Sequence, residues 1–397
     1  MWWKVVILLV GLILALGAWN YLRPIPAVAP TATLPSQDTV PGAAPTTPWP
    51  RVGSGAIGVS GLGLIASSGN ETAVPAASVT KVMTALIILE DKRLQKDQQG
   101  PSITITEADV QGYLADLANN ESVVEVRLGE QLTELQMLEG LLIPSANNFA
   151  ETLARWDAGS IDAFVASMNK RASDLHLAHT TFADTSGASP RTVSTPSDLM
   201  ALGMEAMKNE VFAQVVVMAQ ADLPVAGTVY NVDGALGQGG IVGIKTGSGL
   251  APGANFLFAA MAPVDGHQVT MFGCVMGQPT LARAFAAAKT LIASMQVSMH
   301  VRRVIARNQA VGALATPWGG QSDLISTVDV DLVEWPGMIL RQRLDAVPLM
   351  IDKPLAAGTV VGTEHVVLGD YLLDVKVVTA SPLYPPGRLW RLTRIAL

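Results

Sequence analysis

Cysteine is nearly absent from the sequence: Cys274 is the single one in 397 residues. A lone cysteine cannot form an internal disulfide, and because Cys274 lies in the apolar run "TMFGCVMG", we expect it to be a small buried hydrophobic side chain. Cysteines and histidines with the spacing of a zinc site are lacking as well. His176 and His179 are spaced for one helix face, but no third ligand is near them, so we interpret them as surface histidines. The sequence therefore predicts no metal site.

Positive charge is also scarce. The chain has 26 Lys and Arg residues against 33 Asp and Glu residues, a net charge of −7, and no run of basic residues. Proteins that bind nucleic acid need a basic surface for the phosphates, so this composition argues against a nucleic-acid partner. Hydrophobic residues, in contrast, make up 49% of the chain, which is enough for a sizeable core.

An apolar segment opens the chain, "MWWKVVILLVGLILALGAWNYLRP". As a helix, residues 5–22 would span about 27 Å, close to the hydrocarbon thickness of a bilayer. Aromatic residues suited to membrane interfaces lie at both ends: Trp2, Trp3, Trp19 and Tyr21. We predict that residues 1–23 are a transmembrane anchor. The alternative is a cleaved signal peptide, with small residues at Ala15 and Gly17, and either interpretation exports the rest of the chain.

Residues 24–50, "PIPAVAPTATLPSQDTVPGAAPTTPWP", are rich in Pro, Ala and Thr and carry almost no charge. Such a composition cannot build a core and favours polyproline II segments, which predicts a semi-rigid spacer up to about 80 Å long.

In residues 51–299, short apolar runs alternate with helical patterns. This alternation predicts an α/β domain with helices packed on an antiparallel sheet. Three helices are well marked. One begins near Ser78, where apolar residues recur at helical spacing; one has the capping-box pair Thr133 and Gln136; and one follows Thr195, with a proline at its first position.

Residues 300–397 change to strand-length segments such as "TVVGTEHVVL" and "YLLDVKVVTA", joined by the turn dipeptide Gly369-Asp370. They predict a small C-terminal all-β domain. The last segment, "GRLWRLTRIAL", has arginines at spacing three, Arg388, Arg391 and Arg394. It fits either a short basic amphipathic helix on anionic lipid or a final strand, and the sequence leaves both open.

A serine and a lysine stand one helical turn apart in "PAASVTKVMTALIILE". A serine hydroxyl is a weak nucleophile until a base takes its proton. Lys81 can be that base for Ser78, provided that burial and neighbouring cations lower its pKa toward neutrality. The S-x-x-K pattern is common, however, and it recurs at Ser167 and Lys170 inside a helical run, where we interpret it as a solvated face.

Two further motifs follow in the chain. Ser145-Ala146-Asn147 comes just after a helix that Pro144 ends, and Lys245-Thr246-Gly247 ends a strand-like run. The order S-x-x-K, S-x-N, K-T-G is the signature of the penicillin-recognising serine enzymes. Among these enzymes, the chain from about residue 55 onward resembles the low-molecular-weight penicillin-binding proteins that act as serine D-alanyl-D-alanine carboxypeptidases.

The resemblance implies a catalytic role for four residues. Ser78 would be the acylated nucleophile and Lys81 its general base. Ser145 would relay the proton to the departing D-alanine amine, and Asn147 would hold Lys81 and the substrate backbone in place. The chemistry implied by these residues needs no cofactor or metal.

Four more residues would bind the substrate, by the same resemblance. Lys245 and Thr246 would bind the terminal carboxylate of the peptide, and Gly247 would leave room for the peptide along the strand. The backbone N–H groups of Ser78 and Ser248 would form the oxyanion hole.

The implied substrate is a peptidoglycan stem peptide, whose terminal D-Ala-D-Ala bond is hydrolysed through a serine acyl-enzyme. β-Lactams would be covalent inhibitors that acylate Ser78 and leave slowly. The implied location is the extracytoplasmic face of the bacterial cytoplasmic membrane, or the cell envelope if the N-terminal segment is cleaved.

Two residues depart from the family pattern: Ala146 stands where glycine is often found, and Asn148 where aspartate is common. The glycine-rich segment 228–242 is also a poor match. These departures leave the rate and the substrate preference open.

Three alternative functions follow from the same residues. The site is also compatible with a DD-endopeptidase or transpeptidase, and the fold with a catalytically weak peptidoglycan-binding envelope protein. A class A β-lactamase is disfavoured, because it needs a glutamate in an E-x-x-L-N pattern after S-x-N, and "ETLARWDAGSIDAF" contains none.

Overall fold

The computed structural model describes residues 2–69, 71–251 and 253–394. The chain divides into two compact units. One unit is Ala44–His300 and contains the three motifs; the other combines the N-terminal residues up to Ala43 with Val301–Leu397. We call them the motif unit and the β unit.

Helices and strands are numbered in chain order. The helices are α1 Trp2–Leu22, α2 Lys81–Lys92, α3 Glu107–Ala118, α4 Glu134–Leu142, α5 Asn147–Ala158, α6 Ile161–Asp174, α7 Pro196–Ala206, α8 Glu210–Val216, α9 Leu281–Ser298 and α10 Arg388–Thr393. Two short 3-10 helices cover Ala77–Thr80 and Gln238–Gly240.

The strands up to residue 278 are β1 Thr31–Ala32, β2 Gln37–Thr39, β3 Ser54–Val59, β4 Gly63–Ser67, β5 Val74–Pro75, β6 Ser102–Thr104, β7 Gln131–Thr133, β8 Val193–Ser194, β9 Gln220–Leu223, β10 Gly227–Tyr230, β11 Ile241–Gly247, β12 Ala254–Val264 and β13 His267–Gln278. Those that follow are β14 His300–Ile305, β15 Ala310–Ala315, β16 Gln321–Ser326, β17 Val330–Glu334, β18 Ile339–Asp345, β19 Val360–Leu368 and β20 Tyr371–Thr379.

The motif unit is built on a five-stranded antiparallel sheet in the order β11-β12-β13-β3-β4. Helices α7 and α9 pack against this sheet, and α2 packs against α4, α5, α6 and α7. Every residue of α2 from Lys81 to Leu89 is buried. The predicted α/β arrangement is confirmed, and α2 lies in the middle of its helical part.

The sequence signals for helix starts act as predicted. Thr133 caps α4, since its Oγ1 accepts a hydrogen bond from the backbone N–H of Gln136, while the Gln136 side chain accepts one from the Thr133 N–H. Thr195 caps α7 with one bond, since its Oγ1 accepts from the Asp198 N–H, and Pro196 is at the first helical position. These local bonds satisfy backbone donors that a helix start leaves unpaired.

The cysteine and the two histidines also lie where the sequence placed them. Cys274 is fully buried in β13, and burial raises the pKa of its thiol. His176 and His179 are exposed, in turns after α6 rather than on a helix.

The β unit contains a seven-stranded antiparallel sheet in the order β1-β15-β16-β20-β19-β18-β2. The predicted hairpin is present, with Leu368 of β19 opposite Tyr371 of β20 across the Gly369-Asp370 turn. The predicted C-terminal β domain is confirmed, but it forms one unit with the N-terminal residues up to Ala43 and ends in the helix α10.

The structure differs from the predicted spacer over residues 24–43. Thr31 and Ala32 pair with β15, and residues 37–39 pair with β18, so this segment supplies two edge strands of the β unit. Strand pairing uses backbone groups, which any non-proline residue offers, so a composition poor in apolar side chains does not prevent it. Val28 and Val40 are buried in the same unit. The spacer prediction for residues 24–43 is therefore corrected.

The arginine-rich tail forms a helix, α10, and not a strand. The Arg394 guanidinium donates hydrogen bonds of 2.7 and 2.9 Å to the carbonyl oxygens of Asn20 and Pro24, at the end of α1. The Arg391 guanidinium lies 5.0 Å from the ring centroid of Tyr21. Ile395, which belongs to the same pattern, lies outside the described residues. Of the described helices, α1 is the one long and apolar enough to cross a membrane.

The Thr133 cap gives a first prediction. Thr133→Ala removes the acceptor for the Gln136 N–H, which should cost about 1 kcal/mol. We expect the melting temperature of the purified chain, followed by circular dichroism, to fall by about 2–4 °C. Thr290→Ala is the matched control, because Thr290 is exposed in the middle of α9 and caps nothing. Equal melting temperatures for the two variants would contradict the capping role.

Candidate active site

Ser78 lies in the 3-10 helix that leads directly into α2. The residue before it, Ala77, has a φ of +49°, in the left-handed region that L-residues rarely adopt. A hydrogen bond of 2.7 Å from Thr80 Oγ1 to the Ala77 carbonyl closes this turn. Lys81 is the first residue of α2, and its Nζ lies 2.8 Å from Ser78 Oγ. The spacing of the first motif thus brings its serine and lysine into hydrogen-bond contact.

The Lys81 side chain is completely buried. Besides Ser78 Oγ, its Nζ donates to Asn147 Oδ1 at 2.6 Å and to the Ser186 carbonyl at 3.1 Å. Burial is the main cause that holds the pKa of Lys81 well below its usual value, and the positive charge of Lys245 adds to it. A lysine in this environment loses its proton more easily than one in water, and its neutral form can accept a proton.

The second motif lies between α4 and α5. Ser145 is buried with a φ of +70°, and among the described residues its Oγ has no hydrogen-bond partner. Ala146 is buried at the N-cap of α5 with a φ of −63°, a conformation that needs no glycine. Asn147 is the first residue of α5, and its Oδ1 accepts the hydrogen bond from Lys81 Nζ.

Asn148 has a structural explanation. Its Nδ2 donates to the Val124 carbonyl at 2.9 Å, and its Oδ1 accepts from the Val124 N–H at 3.1 Å. An aspartate could make only the second of these bonds, because a carboxylate has no donor. The buried amide of Asn148 therefore fixes Val124, three residues after Glu121.

The third motif ends β11. Lys245 and Thr246 are buried, and Lys245 Nζ lies 3.3 Å from the Thr246 carbonyl. Burial lowers the pKa of Lys245 to about 7, against the opposing charge of Asp233. A Cβ on Gly247 would lie 2.8 Å from the Ala76 carbonyl, so glycine here lets β11 approach the 3-10 helix that carries Ser78.

A cavity of about 360 Å³ contains Ser78 of the first motif and Asn147 of the second, together with Ser248, which directly follows the third motif; Lys245, Thr246 and Gly247 themselves do not line it. It is lined by Ser78, Asn119, Asn120, Glu121, Ser122, Asn147, Gly187, Ala188, Ser248, Gly249 and Leu250. Lys81 contacts both Ser78 and Asn147 from the buried side. A carbonyl group in this cavity could therefore lie beside Ser78, whose hydroxyl is already in contact with a buried amine.

The sequence reasoning missed the loop 184–188. Gly187 has a φ of +83°, and a Cβ there would lie 1.8 Å from the Ala77 carbonyl oxygen, so only glycine fits against the turn that carries Ser78. Asp184 holds the loop by accepting from the Ser186 hydroxyl and the Ala188 N–H. The signal in the sequence was the aspartate, small residues and glycine of "DTSG".

Glu121 was missed as well. Its Oε2 accepts a hydrogen bond from Asn147 Nδ2, and it lines the cavity. No local pattern marks it, because it sits in an irregular segment after α3.

The chain is similar to known proteins in sequence and in fold. A relative in Streptomyces sp. (strain K15), a D-alanyl-D-alanine carboxypeptidase, is 31% identical over 221 residues, 51% of this chain and 72% of that protein. The crystal structure of the Streptomyces K15 DD-transpeptidase matches with a TM-score of 0.56 at 28% identity and covers 63% of this chain and 98% of its own.

A second structure extends the likeness in fold. Penicillin binding protein 5 from Haemophilus influenzae matches with a TM-score of 0.63 over 87% of this chain and 100% of its own, at 18% identity. At that identity the match concerns the fold alone. The model of the family Peptidase_S11, D-alanyl-D-alanine carboxypeptidase, matches residues 61–280, which contain all three motifs. The chain belongs to the D-alanyl-D-alanine carboxypeptidase family of serine peptidases.

Proposed function

We propose that the protein hydrolyses the terminal D-Ala-D-Ala bond of peptidoglycan stem peptides through an acyl-enzyme on Ser78. The observation that carries this proposal is the contact of 2.8 Å between Ser78 Oγ and Nζ of the buried Lys81, beside the cavity. Family membership supplies the substrate class.

The acylation step uses Lys81 in its neutral form. Ser78 Oγ attacks the carbonyl carbon of the penultimate D-alanine while its proton passes to Lys81 Nζ. The resulting oxyanion is stabilised by the backbone N–H groups of Ser78 and Ser248, each worth a few kcal/mol in such sites. That both residues line the same cavity supports this role.

The leaving group then needs a proton. In our proposal, the proton held by Lys81 reaches the D-alanine amine through the hydroxyl of Ser145 as the C–N bond breaks. The burial of Ser145 Oγ without a partner among the described residues supports this role, because the hydroxyl is uncommitted to the fold. A water molecule next attacks the ester carbon, which releases the shortened peptide and restores Ser78.

Lys245 and Thr246 are proposed to bind the terminal carboxylate, the one charge that every such peptide carries. Lys245 is suited to this task when protonated, because burial makes its attraction for a carboxylate stronger than in water. Gly247 contributes by letting β11 lie close to the Ser78 turn.

We further propose that the chain works at the extracytoplasmic face of the cytoplasmic membrane, with α1 as its anchor, and that β-lactams acylate Ser78. The length and apolar composition of α1 support the anchor. A cleaved N-terminus would instead release the chain into the cell envelope.

The nucleophile is tested by D-alanine release from an acylated Lys-D-Ala-D-Ala tripeptide. We expect Ser78→Ala to lower the rate at least about 10³-fold, as loss of a nucleophile does in serine peptidases, and to abolish labelling by a fluorescent penicillin. Ser167→Ala is the matched control, since Ser167 heads the second S-x-x-K pattern but is exposed on α6. Penicillin labelling of the intact chain without D-alanine release would instead favour the transpeptidase, endopeptidase or binding-protein alternatives.

The pKa of Lys245 gives a pH prediction. Because that pKa is about 7, Lys245 loses its positive charge as the pH rises through this region, and the carboxylate should then bind more weakly. We expect kcat/KM for the tripeptide to fall above about pH 7, mainly through a rise in KM. Arginine stays protonated, so Lys245→Arg should move this fall to higher pH, whereas Lys170→Arg on the exposed face of α6 should not. An identical falling limb in Lys245→Arg would exclude this role.

A further inference from the structure

The segment that follows α3 brings a single carboxylate to the active-site cavity. Asn119, Asn120, Glu121 and Ser122 all line the cavity, and Glu121 is the one ionisable residue among its described lining. The segment is fixed from both sides: the Glu121 N–H donates to the Asp116 carbonyl, and the Ser122 carbonyl accepts from the Asn147 N–H at 2.7 Å. Glu121 is therefore held in place relative to Asn147 by the main chain as well as by its side chain.

A continuous row of hydrogen-bonding groups runs from Glu121 to the nucleophile. Glu121 Oε2 accepts from Asn147 Nδ2, and Asn147 Oδ1 accepts from Lys81 Nζ at 2.6 Å. Lys81 Nζ in turn lies 2.8 Å from Ser78 Oγ. Each member touches the next, and Glu121 is the end of the row that is farthest from Ser78.

The carboxylate determines which way the Asn147 amide faces. A side-chain amide has an acceptor oxygen and a donor nitrogen, whereas an ionised carboxylate can only accept. Glu121 therefore attracts the Nδ2 end, and the Oδ1 end must point at Lys81. If the amide turned over, its N–H₂ group would face Lys81 Nζ, and two donors would be opposed.

On this geometry, which rests on the proposed function, we propose that Glu121 is a positioning residue for acyl transfer: it fixes the Asn147 amide and, through that amide, the Lys81–Ser78 pair. It does not touch the reacting atoms of Ser78. Its effect on the geometry of the Lys81–Ser78 pair passes through Asn147.

Glu121 also acts on Lys81 by its charge. The pKa of Lys81 is lowered by burial first and by Lys245, and it is raised by the facing carboxylates of Asp184, Glu121 and Asp116, in that order. Removing the charge of Glu121 should lower the pKa of Lys81 further. Asp116, whose pKa burial and the nearby Glu151 and Glu121 raise to about 7, would become more ionised and offset part of this effect. The direct loss is the larger of the two, because Glu121 acts more strongly on Lys81 than Asp116 does.

The test measures acylation of the full chain by a fluorescent penicillin and D-alanine release from the acylated tripeptide, for Glu121→Gln. We expect acylation to slow by about tenfold, the equivalent of one charge-assisted hydrogen bond, and the rising limb of its pH profile to move to lower pH. Glu121→Asp keeps the charge with a shorter reach, so its limb should stay near that of the wild type. The matched control is Glu125→Gln, because Glu125 is an exposed carboxylate a few residues away that pairs with Arg127.

A double-mutant cycle separates positioning from other roles. If Glu121 positions the pair through Asn147, then Glu121→Gln should cause no further loss of the plateau acylation rate in an Asn147→Ala background, and only the shift of the rising limb, which comes from charge, should remain. The same tenfold loss in both backgrounds would overturn the proposal. The proposal would also be overturned if Glu121→Gln only raised KM, and only for peptides with a free amine. Glu121 would then be a carboxylate that binds the substrate.

The outcomes also distinguish this proposal from the function on which it rests. A wild-type chain that neither reacts with penicillin nor releases D-alanine would refute the proposed function. A reactive wild-type chain with a Glu121→Gln variant of equal rate and equal pH profile would refute the Glu121 proposal alone. Circular dichroism melting of each variant shows whether a lower rate reflects unfolding. A Glu121→Gln chain with a lower melting temperature but an unchanged acylation rate at temperatures below its unfolding transition would also refute the Glu121 proposal.

Discussion

The burial of the Lys81 amine is the constraint on which the rest of the active site depends. An amine withdrawn from water must find hydrogen-bond partners inside the protein, because a buried ammonium group without them costs several kcal/mol. Three oxygens supply these partners, from Ser78, Asn147 and Ser186. They come from three parts of the chain, so the 3-10 turn, the start of α5 and the loop 184–188 must all converge on the first turn of α2. The tight glycine contact at position 187, between the loop 184–188 and Ala77, follows from this convergence.

The sequence predicted those features that local chemistry determines. The caps at Thr133 and Thr195 satisfy donors within the same few residues, and the hairpin at Gly369 needs only a turn and two flanking strands. The motif residues could be assigned as a set because their order along the chain matches a known family. Which of these residues contact one another could not be derived from their spacing. The exception is the pair Ser78 and Lys81, which are one helical turn apart.

What the sequence did not predict depends on residues far apart in the chain. Residues 31–39 have a composition typical of a spacer, yet they pair with strands about 300 residues later. This pairing uses backbone groups, so the side-chain pattern of the segment does not reveal it. Glu121 and Gly187 are likewise ordinary loop residues until the fold brings them to Asn147 and Ala77. The departures at Ala146 and Asn148 also became intelligible only with the structure. One has a backbone conformation that needs no glycine, and the other uses both ends of its amide.

The two buried lysines complete the physical picture, because in the proposed mechanism one must be neutral while the other is charged. Burial lowers the pKa of both, and the charge of Lys245 lowers that of Lys81 further. A protonated Lys245 thus helps to keep Lys81 neutral in the free enzyme. When a substrate carboxylate pairs with Lys245, it offsets that charge and raises the affinity of Lys81 for a proton. Lys81 would then become a stronger base at the moment when a peptide carbonyl lies beside Ser78, so the carboxylate that is proposed to anchor the substrate would also prepare the base.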